Sequence, residues 1–177
     1  MEEASLYVTH DQSEAMALGD EVVVIKDSVV QQKSPPGELY DDPENLFVAG
    51  FIGAYPMNIL EMEIKEQNGE IFLAREGFRL EVSESARRTL SRRGGKRVLF
   101  GIRPSAVEIS AAGRGAEVLF AEAQGKEDLL HLKLAENLEI KALLKKESAR
   151  PGERVKVSFD PEKMYFFDPE GARIRPG

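Results

Sequence analysis

Arg154-Val155-Lys156-Val157-Ser158-Phe159 is the stretch that decides the fold of this chain. An extended backbone sends Val155, Val157 and Phe159 to one face and Arg154, Lys156 and Ser158 to the other. Such a strand buries one side only and needs antiparallel neighbours patterned alike. They recur through the preceding hundred or so positions. Leu60, Met62 and Ile64 alternate with Ile59, Glu61 and Glu63, and Glu70-Ile71-Phe72-Leu73-Ala74 follows the two-residue turn signal Asn68-Gly69. Phe78 to Val82 and Lys96 to Ile102 alternate too, and further strands are predicted over 117–123, 130–134, 138–144 and 164–167. So many short, one-faced strands suit a closed antiparallel barrel, which leaves no edge unpaired. One helix interrupts them over 83–93. Ser83 is its N-cap, Glu84 lies in the positive first turn, Arg92 and Arg93 lie in the last, and Gly94 closes it.

Before Tyr55-Pro56 the pattern differs. Strand signals over 6–9, 21–26 and 29–32 alternate with helix signals over 12–18, 36–41 and 44–52, with a turn at Asp27-Ser28. This reads as the closing part of an α/β layer whose apolar faces further elements would cover, so residues 1–50 are expected to be the least faithful to a parental fold. Two domains follow, 1–55 and 56–177.

Within the first lies Tyr7-Val8-Thr9-His10-Asp11-Gln12-Ser13-Glu14-Ala15-Met16-Ala17. An apolar strand delivers His10 to a turn, and Asp11 with Glu14 has the spacing of a capping box at a helix start. An imidazole beside a helix N-terminus at a strand tip is a common place for a phosphate, although a lone histidine there is more often a cap or a surface residue. The segment resembles the switch-histidine loop of ABC-transporter ATPases, an apolar strand followed by Thr-His-Asp-Gln-x-Glu-Ala.

The resemblance continues along the chain. Asp20 to Ile25 is similar to the next strand of the cassette, Gln32, Pro36, Glu38, Leu39 and Tyr40 to the hairpin and helix that follow, and Pro43 to Gly53 to the exit helix. Met57-Asn58 opens the next domain, and Gly101-Ile102-Arg103-Pro104 and Phe159-Asp160-Pro161-Glu162-Lys163 come in the order found in one branch. That branch holds the ATPases of maltose- and glycerol-phosphate-type importers, which end in a transport-associated OB domain. The fold implied is mostly β: an antiparallel OB-type β-barrel regulatory domain preceded by a partial α/β segment from the end of a nucleotide-binding domain. The family's hairpin usually has Gly where this chain has Ser28 and Ser34, so turns of another geometry are expected there. Pro35-Pro36-Gly37 stiffens the entry to the next helix.

By the same resemblance, His10 is the catalytic γ-phosphate histidine of the parent, which would use ATP and Mg2+. Arg103, Asp160 and Glu162 are the regulatory or dimer candidates, with Arg103 making a fixed ion pair within the barrel or across a dimer. The phosphate-binding run Gly-x-x-x-x-Gly-Lys-Ser/Thr is absent, and neither Gly94-Gly95 nor Gly113-x-Gly115 has its spacing. The Leu-Ser-Gly-Gly-Gln signature and an apolar run ending in Asp-Glu are absent too. One histidine cannot hold a phosphate, so no cofactor and no ATP hydrolysis are expected of these residues alone.

Composition is consistent with that. The 24 Lys and Arg against 31 Asp and Glu leave a net charge of −7, which argues against a nucleic-acid partner. Without cysteine there is no disulfide framework, and the acidic Met1-Glu2-Glu3-Ala4-Ser5 start lacks the apolar core of a secretory signal. Val22 to Ile25 is far too short an apolar run to span a bilayer. The expected location is cytoplasmic, peripheral on the inner face of the plasma membrane through permease subunits. Expected partners are a second copy of the chain, the permease, and a regulatory protein or small ligand on the barrel. The basic group Arg87, Arg88, Arg92, Arg93, Lys96 and Arg97 reads as a solvated helix end, His131 as a polar-face residue, and Asp160, Glu162 and Asp168 as turn caps. Two other readings stand beside the importer subunit: a stand-alone OB module for small oxyanions, and a pure dimerisation element.

Overall fold

In the computed structural model, which describes residues 4–93 and 95–175, residues 4–10 form no regular element. The strand expected over 6–9 is therefore not made. A strand needs a neighbour to satisfy its amides, and among the described residues none pairs with it, so Leu6 and Val8 stand 93% and 85% exposed. α1 (Gln12–Leu18) follows, capped by Asp11, whose carboxylate accepts from the N–H of Ser13 at 2.7 Å and of Glu14 at 3.2 Å. The capping box is only half formed. Glu14 turns away to accept from the hydroxyls of Thr9 and Tyr7, and the Asp11 N–H is taken by Thr9 Oγ1.

β1 (Val22–Lys26) and β2 (Val29–Ser34) pair as the expected hairpin. Its turn departs from expectation: Asp27 and Ser28 both sit at positive φ, 51° and 63°. The tight antiparallel pairing imposes the left-handed geometry that glycine normally supplies, and an aspartate and a serine adopt it. α2 (Pro36–Asp41) starts on Pro36, whose fixed φ suits a first helical position. α3 (Leu46–Phe51) is capped by Asn45, which accepts from the Val48 N–H at 3.0 Å. These elements enclose a small core of Val24, Leu39, Val48 and Ile52. The apolar faces expected to lie bare do so: Val23, Ile25, Val29 and Val30 are exposed.

The rest is antiparallel β, in β3 (Asn58–Gln67), β4 (Glu70–Arg75), β5 (Phe78–Glu81), the helix α4 (Glu84–Arg92), β6 (Arg97–Ile102), β7 (Val107–Gln124), β8 (Glu127–Ala135), β9 (Leu138–Lys145), β10 (Arg154–Phe159), β11 (Met164–Phe167) and β12 (Arg173–Ile174). Ser83 caps α4 by accepting from the Ala86 N–H, while the Gly94 closure lies outside the described residues. The ladders make two sheets, ordered β12-β11-β6-β3-β4-β5 and β10-β7-β8-β9. Their inner faces share one core, in which Leu73, Val98, Phe100 and Ile102 of the first meet Val118, Leu132 and Val157 of the second. Burying each such side chain contributes about 1.5–3 kcal/mol. Phe78, Phe100, Phe159 and Phe166 fill its centre, edge to face or tilted at 6.0–6.2 Å.

The sheets are also joined at an edge. The side-chain amide of Asn58 on β3 donates to the carbonyls of Ile102 and Lys141 at 3.1 and 2.8 Å and accepts from the Lys141 N–H at 2.7 Å. One amide thus satisfies both backbone groups of an edge residue on β9. β7 begins ten positions before its expected start, and residues 110–114 loop out between two stretches paired with β10. Gly113 lies there against the Val157 backbone so closely that a Cβ would overlap it.

Candidate functional site

His10 is exposed on the loop before α1. Its neighbours are committed to one another through the bonds among Thr9, Asp11 and Glu14, so the loop is braced onto the first turn of the helix. Among the described residues no hydrogen bond or ion pair joins His10 to Arg103, Asp160 or Glu162. Nor do three His, Asp or Glu side chains converge there to hold a metal ion. The described residues around His10 thus offer no carboxylate and imidazole cluster for a magnesium ion.

The second group of candidates marks a junction. Arg103 follows β6 and is 3% exposed. Its guanidinium donates through Nη1 to the Ile52 carbonyl at 2.8 Å, and through Nη2 and Nε to the Tyr40 carbonyl at 2.7 and 3.2 Å. It also lies 3.9 Å over the Tyr40 ring. These acceptors are carbonyl oxygens, and among the described residues Arg103 makes no ion pair within the barrel. Tyr40 is in the last turn of α2 and Ile52 is the C-cap of α3, where carbonyls have no partner inside a helix and carry the negative end of its dipole. A buried cation with a planar fork serves both ends at once. Burial holds the Arg103 guanidinium below its ordinary range, with Tyr40 and Tyr165 opposing.

Other residues of the β region grip the same segment. Tyr165 donates its hydroxyl to the Asp41 carbonyl at 3.1 Å, and burial holds that phenol above its usual value. Arg175 pairs with Asp42 at 3.0 Å and with Glu44 at 3.1 Å. The backbone closes the contact, from Leu46 N–H to Gly171 carbonyl at 2.8 Å and from Arg173 N–H to Glu44 carbonyl at 3.1 Å. Ala49, Met57, Tyr165 and Phe167 form a small core between the two parts. From within the first part, buried Gln32 donates to the Asp42 carbonyl and accepts from the Glu44 N–H. Reading the sequence missed the roles of Asn58, Tyr165, Arg173 and Arg175. Asn58 and Tyr165 carried one signal, a polar group in an otherwise apolar strand, and nothing around Arg173 and Arg175 pointed to theirs.

The remaining candidates are caps and pairs. Asp160 accepts from the Glu162 N–H at 3.0 Å and faces Lys163, so Glu162 enters that turn through its backbone. Asp168 accepts from the Ala172 N–H and pairs with Arg93 at 2.9 Å. In the basic group Arg87 faces Glu70 and Glu81, Arg88 faces Glu84, and Arg97 faces Glu61, which leaves little of it as an anion site. His131 stacks on Phe120 at 3.8 Å with Nε2 2.6 Å from Glu122, a cross-strand surface contact.

Fold and junction together define a mostly β, antiparallel domain with a short α/β segment docked ahead of it. Comparison with known families agrees. Residues 56–107 match the MalK OB fold domain and residues 100–167 match the TOBE domain. The chain is 37% identical over 171 residues to an uncharacterised ABC transporter ATP-binding protein of Sinorhizobium fredii, covering 96% of this chain and 45% of that one. It is 36% identical over 175 residues to the trehalose/maltose import ATP-binding protein of Thermococcus litoralis (93% and 46%). It is 31% identical over 174 residues to the sn-glycerol-3-phosphate import ATP-binding protein of Bordetella avium (96% and 47%). The chain belongs to the family of ABC-importer ATP-binding subunits and corresponds to their C-terminal, TOBE-bearing regulatory part. It spans about half the length of the curated relatives it matches. Among solved structures, the molybdate-bound form of the cytoplasmic protein ModG is similar over 62% of this chain and 94% of that one, with a TM-score of 0.49 and 17% identity, too slight a likeness to carry a fold or a ligand. Among the described residues no helix is long and apolar enough to cross a membrane.

Proposed function

We propose that this chain is the regulatory end of an importer ATPase that drives solute uptake through a membrane permease from the cytoplasmic side. The observation that carries the proposal is the Arg103 junction. It joins the helices that follow the His10 segment to the OB-type region through hydrogen bonds and a small shared core. On this reading residues 1–55 close a nucleotide-binding domain and residues 56–177 form the regulatory domain. His10 would contact the γ-phosphate of ATP between two copies of the intact subunit, and the β region would hold those copies together. The bare face of β1 and β2 would receive the rest of the cassette, since exposed apolar surface of this kind calls for a cover. A stand-alone oxyanion module is less well supported. The groove of about 290 Å3 beside Lys133 and Arg154 is also lined by Glu117, and a carboxylate opposes an anion.

The test is to isolate the gene product from membranes of its source cells with an antibody against residues 57–177 and to measure ATP hydrolysis. A product about twice as long, with activity that His10→Ala lowers by about 100-fold, the usual effect of losing one transition-state contact, is the expected result. A product of this chain's own length with no hydrolysis would overturn the proposal.

A further inference from the structure

The peptide group between Ile52 and Gly53 is held from both sides. Its carbonyl accepts from Arg103 Nη1 at 2.8 Å, and its N–H donates to Gln12 Oε1 at 3.4 Å. Gln12 is the first residue of α1, two positions after His10. Arg103 belongs to the OB-type region, at the exit of β6. One amide therefore separates the histidine-bearing segment from the regulatory part.

Local geometry brings Arg103 close to this peptide, while the bond to Gln12 is a long one. Gly53 has φ +120°, and a Cβ there would lie 3.2 Å from both Arg103 Nη1 and the Tyr40 ring, so only glycine lets the backbone come this near. α1 buries none of its residues fully, so few other contacts fix its start. Thr9, Asp11 and Glu14 tie the loop bearing His10 to that start. A bond donated to a carbonyl polarises the whole amide and strengthens the bond made by its N–H.

Resting on the reading of His10 as the γ-phosphate residue, we infer that Arg103 is a positioning residue for the His10 loop, acting through the Ile52–Gly53 peptide and Gln12. A shift of the regulatory region changes the hold of Arg103 on the Ile52 carbonyl, and through Gln12 it alters the anchoring of α1 and His10. The coupling is reciprocal by linkage, so events at the loop are felt at Arg103.

The experiment is a double-mutant cycle on the full 177-residue chain, read by NMR hydrogen exchange. Gln12→Ala removes only a part-buried side-chain acceptor and should speed exchange of the Arg103 Nη1 protons, which bond the Ile52 carbonyl, by about two- to five-fold, up to the factor of one ordinary hydrogen bond. A merely structural role for Arg103 would not move that signal. Arg103→Lys keeps the charge but not the fork, and should speed exchange of the Ala15 amide in α1 by a similar factor. With Gln12→Ala already present, Arg103→Lys should add nothing at Ala15. Unchanged exchange of the Arg103 Nη1 protons in Gln12→Ala, or effects at Ala15 that multiply independently, would sink the inference. If Arg103→Lys unfolds the chain, protection of Val98 and Phe100 is lost as well, and the Gln12→Ala arm decides alone. None of these readings involves ATP. A failed cycle leaves the importer proposal standing, and a membrane complex without ATPase activity leaves the measured coupling intact.

Discussion

Replacing Asn58 by Asp tests whether one side-chain amide holds the two sheets together. The substitution is isosteric, so packing is kept and only hydrogen bonding changes. Asn58 Nδ2 donates to Ile102 and Lys141 carbonyls at 3.1 and 2.8 Å, and Oδ1 accepts from the Lys141 N–H at 2.7 Å. A carboxylate keeps the accepted bond and loses both donated ones, each worth about 1 kcal/mol. It also sets a negative oxygen against two carbonyl oxygens in a half-buried site, adding roughly 1–2 kcal/mol of unmet desolvation. The expected loss at pH 7 is about 3 kcal/mol, or a fall in Tm of about 6–12 °C for a chain of this size. Protonation restores a donor. The folded state binds that proton more tightly than the unfolded state, so the stability lost at pH 7 should partly return as pH falls through the carboxyl range. Urea melts followed by circular dichroism at pH 7 and pH 4.5 measure both effects, taken as differences from the parent chain at each pH. A loss under about 0.5 kcal/mol at pH 7, or one that does not shrink at pH 4.5, would falsify the account of the seam.

Three further outcomes are expected. Ser28→Gly relieves a left-handed serine, worth about 1–2 kcal/mol, against an unfolded-state entropy cost of roughly 0.4–1, so the urea midpoint should rise by the equivalent of about 0.5–1 kcal/mol; no change would mean the turn relaxes at Ser28. Gly113→Ala forces β7 away from the Val157 backbone and should cost about 2–3 kcal/mol, seen as a lowered melting point and lost protection of the Val157 amide. Burial raises the Tyr165 phenol above its usual pKa of about 10, so its contribution is whole below that pH and is lost as pH rises through the folded value. Tyr165→Phe should cost about 1 kcal/mol at pH 8 and flatten the alkaline decline, and melts at pH 8 and pH 11 that keep the parent's slope would count against this.

The strands were legible because each buries one face. In β10 and β3 the alternation of apolar and polar residues is the burial pattern itself, although β3 runs on past Ile64, where the alternation stops, to Gln67 because those residues pair with β4. β7 was shortened by ten residues because Ala111-Ala112-Gly113-Arg114-Gly115 has no alternation to read. That loop is held by Gly113 meeting the backbone of another strand, which leaves no mark on its neighbours in sequence. The segment at 6–9 erred the other way. Leu6, Tyr7 and Val8 have strand propensity, but propensity makes no ladder without a partner. At the candidate site His10 and Arg103 were both singled out by position in a motif, but the carbonyls that Arg103 meets within the chain were not. A charged side chain suggests an opposite charge, and helix-end carbonyls from residues 40 and 52 cannot be read from the letters around position 103.

Sequence by itself determined the β character, the change of pattern near residue 55, the capping residues Asp11 and Ser83, and the family, because these depend on local periodicity, local hydrogen bonding and ordered motifs. Tertiary structure alone decided that the ladders form two sheets joined through Asn58. It also decided that Arg103 caps two helices, and that one peptide lies between Gln12 and the OB-type region. The physical reason is the same in each case. These bonds satisfy backbone groups left over at strand edges and helix ends, and which side chain reaches them is set by three-dimensional proximity.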